Sequence, residues 1–282
     1  MRSRHPRSSN PNSLDTEPVW RYGGPADWCC QSHPRAVPSS GAVDPDRLTG
    51  MDTITLITGA NKGLGYESAR RLREAGHTVL LAARDPERGQ AAAGELAVPF
   101  VHLDVTDEDS VALAASWVRD QYGRLDVLVN NAGINGPSIP IDQATAADVA
   151  GVFNTNLLGV VRVTTAFLPL LRASDNPRIV NVSSGTGSFA LTEKNSWWDP
   201  EYVPPIYAAT KTALTKLTVF YAHALPDMRV NAADPGWTAT DLNNFRGIQT
   251  VQEGTDAIVE LATLPADGPT GAYVNRDGVV PW

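Results

Sequence analysis

From Met51 onward, short apolar runs alternate with longer stretches in which apolar positions recur every three or four residues. Ile54-Thr55-Leu56-Ile57 is a β-branched run of the kind that forms a parallel strand buried on both faces. A glycine-rich turn follows, then a helix that opens at Leu64-Gly65 and closes near Gly76. The same alternation predicts further strands over 78–83, 98–103, 125–129, 178–182, 228–233 and, last and short, 271–275. Between them it predicts helices over 86–96, 107–122, 205–225 and 251–261, and one long or two shorter helices over 142–171, interrupted near Pro169. Asp85 is placed to cap the second helix, with Pro86 in its first turn. Strands joined by helical crossovers imply right-handed connections and a sheet covered on both faces. Residues 51–282 therefore predict a single doubly wound α/β domain with a seven-stranded parallel sheet.

Residues 1–50 break the pattern. They hold seven prolines, scattered Ser, Asn and Arg, and no sustained apolar period. Such a segment buries too little surface to offset its ordering entropy. It also lacks the apolar core of a secretion signal, and Pro6, Pro11, Asp15 and Glu17 spoil the amphipathic helix of a transit peptide. The expectation is a dispensable tail ahead of Met51; docking through Trp20 and Trp28 is the alternative.

Composition narrows the function classes. The chain has 282 residues, 42% of them apolar, which suits one sizeable core. A formal charge of −8 argues against nucleic acid or an anionic membrane as partner. No apolar run approaches the roughly 20 residues of a membrane span. The two cysteines, Cys29 and Cys30, are adjacent and make neither a disulfide framework nor a metal site, which fits a reducing, cytoplasmic setting.

The candidate chemistry sits at strand ends. Gly59, Gly63 and Gly65 let a pyrophosphate approach the backbone amides and the positive end of the following helix. An ordinary glycine turn is the alternative, since short glycine patterns recur by chance. Tyr207 and Lys211, at i and i+4 on one helix, put a phenol and an ammonium on the same face. A fixed cation beside a phenol favours the phenolate, so Lys211 is expected to lower the acidity threshold of Tyr207. Ser183-Ser184 leaves the fifth strand at its carboxyl end, where doubly wound sheets bind ligands. A serine hydroxyl there is placed so that it could hold a substrate carbonyl for the tyrosine to protonate.

Together, Thr58-Gly59-x-x-x-Gly63-x-Gly65, Asn130-Asn131-Ala132-Gly133, Ser184, Tyr207-x-x-x-Lys211 and Asp234-Pro235-Gly236 resemble, in order and spacing, the short-chain dehydrogenase/reductase family. The resemblance covers residues 51 to about 275 and points to the main single-domain branch, near its carbonyl-reductase-like members. It implies a Rossmann-like domain and an oxidoreductase. Tyr207 would be the general acid/base, and Lys211 would hold the nicotinamide ribose and tune the phenol. Ser184 rather than Ser183 would orient the substrate oxygen, and Asn156 would anchor a water feeding the proton relay. A helix-interior amide satisfied by backbone is the plain alternative for Asn156. Asn130, Asn131, Ala132 and Gly133 would frame the adenosine side and tie the fourth strand to the central sheet, a plain strand-to-turn transition being the alternative. Asn61, Leu64, Val105, Pro235, Gly236 and Thr238 would also line the cofactor. Thr238 would meet the nicotinamide carboxamide. Asp104 resembles the acid that reaches the adenine amino group, and a cap for the helix after Thr106 accounts for it equally well.

Charge separates NADP(H) from NAD(H). A carboxylate at the end of the second strand binds the ribose 2′-hydroxyl in NAD enzymes. This chain has Arg84 there, with Lys62 and Arg88 nearby, and such donors suit a 2′-phosphate. The interval from Ser184 to Tyr207 is about ten residues longer than the family's usual one and carries Trp197 and Trp198. The resemblance implies that the tyrosine helix often forms a dimer interface. An insertion leading into it would cover that face, so a monomer is expected, with a dimer or tetramer as the alternative. The segment after Thr238 is too short for a long lid. With Phe189, Trp197, Trp198, Trp237 and Phe245 about the site, the expected substrate is a small hydrophobic carbonyl compound, or the corresponding alcohol. No metal is called for. Two other readings of the same residues are a non-catalytic NADP-binding regulator and a lyase or epimerase that retains its cofactor.

Overall fold

The computed structural model describes residues 53–194 and 204–282. The expected tail over 1–50, and Trp197 and Trp198, lie outside the described residues.

Among the described residues, eight strands form one sheet: β1 Ile54–Thr58, β2 Thr78–Ala83, β3 Phe100–His102, β4 Val127–Asn130, β5 Arg178–Val182, β6 Arg229–Ala233, β7 Tyr273–Asn275 and β8 Gly278–Val279. Their order is β3-β2-β1-β4-β5-β6-β7-β8. The first seven strands in chain order run parallel, as the sequence pattern predicts. An eighth pairs antiparallel with β7 through a tight hairpin at Gly278, where φ is +123°. Two residues of strand carry no readable period, so β8 leaves no trace in the pattern.

The helices are α1 Gly63–Glu74, α2 Pro86–Leu96, α3 Glu108–Tyr122, α4 Ala146–Phe153, α5 Gly159–Leu171, α6 Phe189–Lys194, α7 Pro205–Ala224, α8 Val251–Gly254 and α9 Asp256–Ala262. Strand residues alternate between two apolar cores. Leu56, Leu80, Leu128 and Ile179 face one side and pack with Val111, Val118, Phe167 and Leu171 of α3 and α5. Ile57, Leu81, Val129 and Val180 face the other and pack with Ala69, Leu72, Ala93, Ile258 and Leu261 of α1, α2 and α9. Each of these large side chains contributes roughly 1.5–3 kcal/mol on leaving water.

The interruption expected near Pro169 is elsewhere. Pro169 lies in the last turn of α5, which continues to Leu171. The irregularity is a π-helical turn at Asn154–Leu158, which joins α4 to α5 without leaving helical backbone angles. Such wide turns concentrate at functional positions, and Asn156 stands at this one's centre. The helix expected over 251–261 is two short ones, α8 and α9, divided at Thr255.

β1 lies between β2 and β4, so the chain winds outward first on one side and then on the other. The crevice beyond the carboxyl ends of β1 and β4 is the topological switch point, where open α/β sheets bind ligands.

Candidate active site

Two loops meet at that crevice. Gly59 and Gly63 have φ of +63° and +57°, which side chains with a Cβ adopt reluctantly. Gly65 is required for space: a Cβ there would lie 2.5 Å from Asn131 Nδ2 and 2.7 Å from the Gly59 carbonyl oxygen. The loop after β4 is stitched to this turn. Thr58 Oγ1 accepts the amides of Asn131 and Ala132, both at 3.0 Å, and Asn131 Nδ2 donates to the carbonyls of Thr58 (2.8 Å) and Gly59 (3.2 Å).

The first turn of α1 has no capping side chain and no acidic residue. Its amides and dipole are therefore left to an anion, which fits a dinucleotide pyrophosphate. Beside it lies a cavity of about 310 Å³ lined by Asn61, Lys62, Tyr66, Arg88, Ala91, Ala92 and Glu95. Two of the cations expected to bind a 2′-phosphate face carboxylates: Lys62 lies 3.4 Å from Asp241, and Arg88 lies 3.4 Å from Asp85. Arg84 is exposed at the end of β2, close enough to help hold the Asp104 carboxyl low. Asp104 Oδ1 accepts from the amide and hydroxyl of Thr106, at 2.9 and 2.7 Å. The cap of α3 is Asp107 instead. Asp104 thus closes its own turn, and Val105 is buried against Gly159.

Further along the switch side stand the residues of the predicted chemistry. Tyr207 is the third residue of α7, in its first turn, and its hydroxyl hydrogen-bonds the Ser184 side chain. Ser184 opens a 3-10 turn over Gly185–Gly187, and its Oγ accepts the Thr186 amide at 3.3 Å. Ser183 points the other way, into α7, with its Oγ 2.6 Å from Thr215 Oγ1. The second serine, not the first, meets the tyrosine. Lys211 is buried, donates to the Val182 carbonyl at 2.7 Å and has its ammonium 5.4 Å from the centre of the Tyr207 ring.

The electrostatics differ from the expectation that lysine acidifies the phenol. Burial pushes the Tyr207 phenol up, the Ser184 hydrogen bond pulls it down, and the Asp234 carboxylate raises it further. Burial lowers Lys211 to about 8. Both groups are enclosed in apolar surroundings that oppose charge, and the ammonium faces the ring.

Asn156 Oδ1 accepts the Ile134 amide at 2.9 Å, and its Nδ2 donates to the Ile134 carbonyl and to Thr210 Oγ1. The side-chain amide thus braces the loop after β4 against α7. Thr238 is buried and donates to the Pro235 carbonyl at 2.8 Å, so its hydroxyl is engaged within its own turn. Gly236 has φ of +67° and donates to Asp234 Oδ1 at 2.9 Å. Trp237 and Phe245 are 50% and 65% exposed, and Phe189 is 69% exposed. All three present open apolar surface. The segment from Ala239 to Gln249 is short but ordered, with a bridge between Thr238 and Gln249 and a hydrogen bond from Asn135 Nδ2 to the Leu242 carbonyl.

Asn130, expected to tie the fourth strand to the central sheet, does so through partners that had no role assigned from sequence. Asn130 and Asn181 pair across β4 and β5 and join Thr164 and Thr218 in a buried hydrogen-bonded row. Asparagines inside otherwise apolar parallel strands were the available signal, because buried amides require partners.

A dinucleotide fold with a tyrosine–lysine helix beside its switch point defines the class of nicotinamide-dependent oxidoreductases. Within that class, a model of the short chain dehydrogenase family matches residues 53–249, and the chain belongs to that family. Its relatives are of carbonyl-reductase type. It is 33% identical to (−)-isopiperitenone reductase of Mentha piperita, over 82% of this chain and 98% of that one. It is 32% identical to carbonyl reductase (NADPH) 1 of Sus scrofa, over 81% and 94%. The crystal structure of NADPH-bound carbonyl reductase from chicken fatty liver superposes with a TM-score of 0.74 at 28% identity, covering 82% of this chain and 99% of that one. No helix among the described residues is long and apolar enough to cross a membrane.

Proposed function

We propose that this protein is an NADPH-dependent carbonyl reductase, running in reverse as an alcohol dehydrogenase, with a small hydrophobic substrate. The observation that carries the reading is the hydrogen bond between the hydroxyls of Tyr207 and Ser184, with Lys211 over the same ring. Gly59, Asn61, Gly63, Leu64 and Gly65 would hold the pyrophosphate, and Asn131, Ala132 and Gly133 the adenosine side. Lys62, Arg84 and Arg88 would hold the 2′-phosphate. Pro235 and Gly236 would shape the turn beside the nicotinamide. Bound there, a reduced nicotinamide supplies hydride to a carbonyl carbon. Ser184 orients the carbonyl oxygen, and Tyr207 gives that oxygen its proton. A phenol kept neutral by burial is suited to donating rather than accepting at neutral pH. Lys211 retains two N–H donors beyond the one given to Val182, enough for a ribose hydroxyl.

NADPH is favoured over NADH by the basic side chains about the cavity and by the NADPH named for the pig and chicken relatives. The open apolar rim of Trp237 and Phe245 favours a hydrophobic carbonyl. The test follows NADPH absorbance with a panel of aromatic ketones, aldehydes, cyclic enones and quinones. Turnover that falls about 10²–10⁴-fold in Tyr207→Phe supports the assignment. Tight NADPH binding with no turnover of any carbonyl would replace it with a binding protein on the same fold.

A further inference from the structure

Resting on the reductase reading, we propose that Asp234 and Tyr273 are positioning residues that clamp the Ser184–Gly185 peptide and so aim the Ser184 hydroxyl at Tyr207. The two side chains take opposite ends of one peptide unit. The Tyr273 hydroxyl donates to the Ser184 carbonyl oxygen, which also accepts the Gly187 amide at 2.8 Å. The Asp234 carboxylate accepts the Gly185 amide of the same unit, and its Oδ1 accepts the Gly236 amide at 2.9 Å. The approach is close: a Cβ on Gly185 would lie 3.0 Å from Asp234 Oδ2.

Neither group is on the surface. Asp234 is 5% exposed and Tyr273 1%. A buried carboxylate is costly and persists where it is well hydrogen-bonded. The spacing between them is set by the sheet. Ala232 pairs with Tyr273 in the β6–β7 register, and the Asp234 amide donates to the Val274 carbonyl at 2.8 Å. Tyr273 is in turn packed between Ala232 and Val280 and meets the Trp282 ring at 5.7 Å. A rigid strand pair therefore fixes both ends of the serine's peptide, leaving Ser184 little freedom about its backbone. Groups held this way lose reactivity steeply when displaced by even an ångström.

The experiment uses the full chain with Tyr273→Phe and Asp234→Asn, each of which keeps the side chain's shape. For a carbonyl turned over by the wild type, each variant is expected to lower kcat ten- to a hundredfold, with the NADPH dissociation constant within about twofold of wild type. In a Ser184→Ala background the same substitutions should cost nothing further, because their effect passes through that hydroxyl. Hydrogen exchange at the Gly185 amide, read without turnover, should accelerate about tenfold or more in Asp234→Asn. Unchanged kcat, losses that add to that of Ser184→Ala, or an unchanged Gly185 exchange rate would overturn the clamp. A wild type inactive on every carbonyl would sink the reductase reading, and the exchange rate would still decide whether the peptide is clamped.

Discussion

Lys211 stands over the ring of Tyr207, its ammonium 5.4 Å from the centroid and committed to the Val182 carbonyl at 2.7 Å. Burial raises the phenol, with the Ser184 hydrogen bond offsetting part of the rise, while burial brings Lys211 down to about 8. On the proposed mechanism, reduction requires a proton on Tyr207 and a cation on Lys211. The kcat/KM for carbonyl reduction is therefore expected to stay level through neutral pH. It should fall about tenfold per pH unit above about 8, as Lys211 deprotonates. A profile that already falls as pH rises from about 6 to about 7 would point to a different, more acidic proton donor.

Cofactor choice is exposed to a direct trial. Lys62 faces Asp241 at 3.4 Å with both side chains about half exposed, a pair worth little to stability. A 2′-phosphate would compete with that carboxylate, whereas Arg84 has its charge turned to solvent at the end of β2. Arg84→Ala is expected to raise the NADPH dissociation constant about tenfold, the weight of one charge-assisted contact, and to leave NADH unaffected. Asp241→Asn should tighten NADPH a few-fold. Titration of both dinucleotides by fluorescence reads the difference, and parallel effects on NADH would remove these cations from the 2′-phosphate.

Gly65 is held by space, not by backbone angle. An added Cβ would meet the Asn131 amide nitrogen at 2.5 Å and the Ala60 Cα at 2.8 Å, so the two loops must part. Gly65→Ala is expected to cost about 1–3 kcal/mol of stability as an overpacking change. It should also weaken dinucleotide binding at least tenfold, because the Asn131 bridge to Thr58 shifts. Thermal unfolding with and without NADPH separates the two effects: the variant should lose most of the shift that NADPH confers on the wild type.

What the sequence revealed followed from how local its determinants are. Buried parallel strands and their capped helices announce themselves in a dozen residues, and the glycine turn, Ser184, Tyr207 and Lys211 sit at their ends. Asp85 does cap α2, accepting the Arg88 amide. The direction of the phenol's shift was not legible, because it depends on how much protein encloses both groups, which i, i+4 spacing does not report. Asn156 was found, but its partner Ile134 lies 22 residues away across the β4 loop. Likewise, Tyr273 reaches Ser184 over 89 residues through strand register alone. Such contacts are products of topology.

At the amino-terminal ends of the inner strands, away from the site, His77 ties acid stability to one imidazole. It is half-buried, its Nδ1 lies 2.8 Å from Thr55 Oγ1, and burial together with Arg178 outweighs Asp126 to lower it from 6.5 to about 4. A folded value below the unfolded one means that the unfolded chain binds the extra proton first. Stability is then complete above about 6.5 and is lost as pH falls toward about 4. After allowance for the ring's partial exposure, this amounts to about 1–3 kcal/mol. Other carboxylates titrate in the same region, so the useful quantity is a difference. The unfolding free energy of wild type minus that of His77→Gln, measured by urea denaturation at steps from pH 7 to pH 4, should shrink steadily across that window. The variant loses the Thr55 contact at every pH but takes up no proton. Two curves that stay parallel would show that His77 charges as readily in the folded protein as in the unfolded chain.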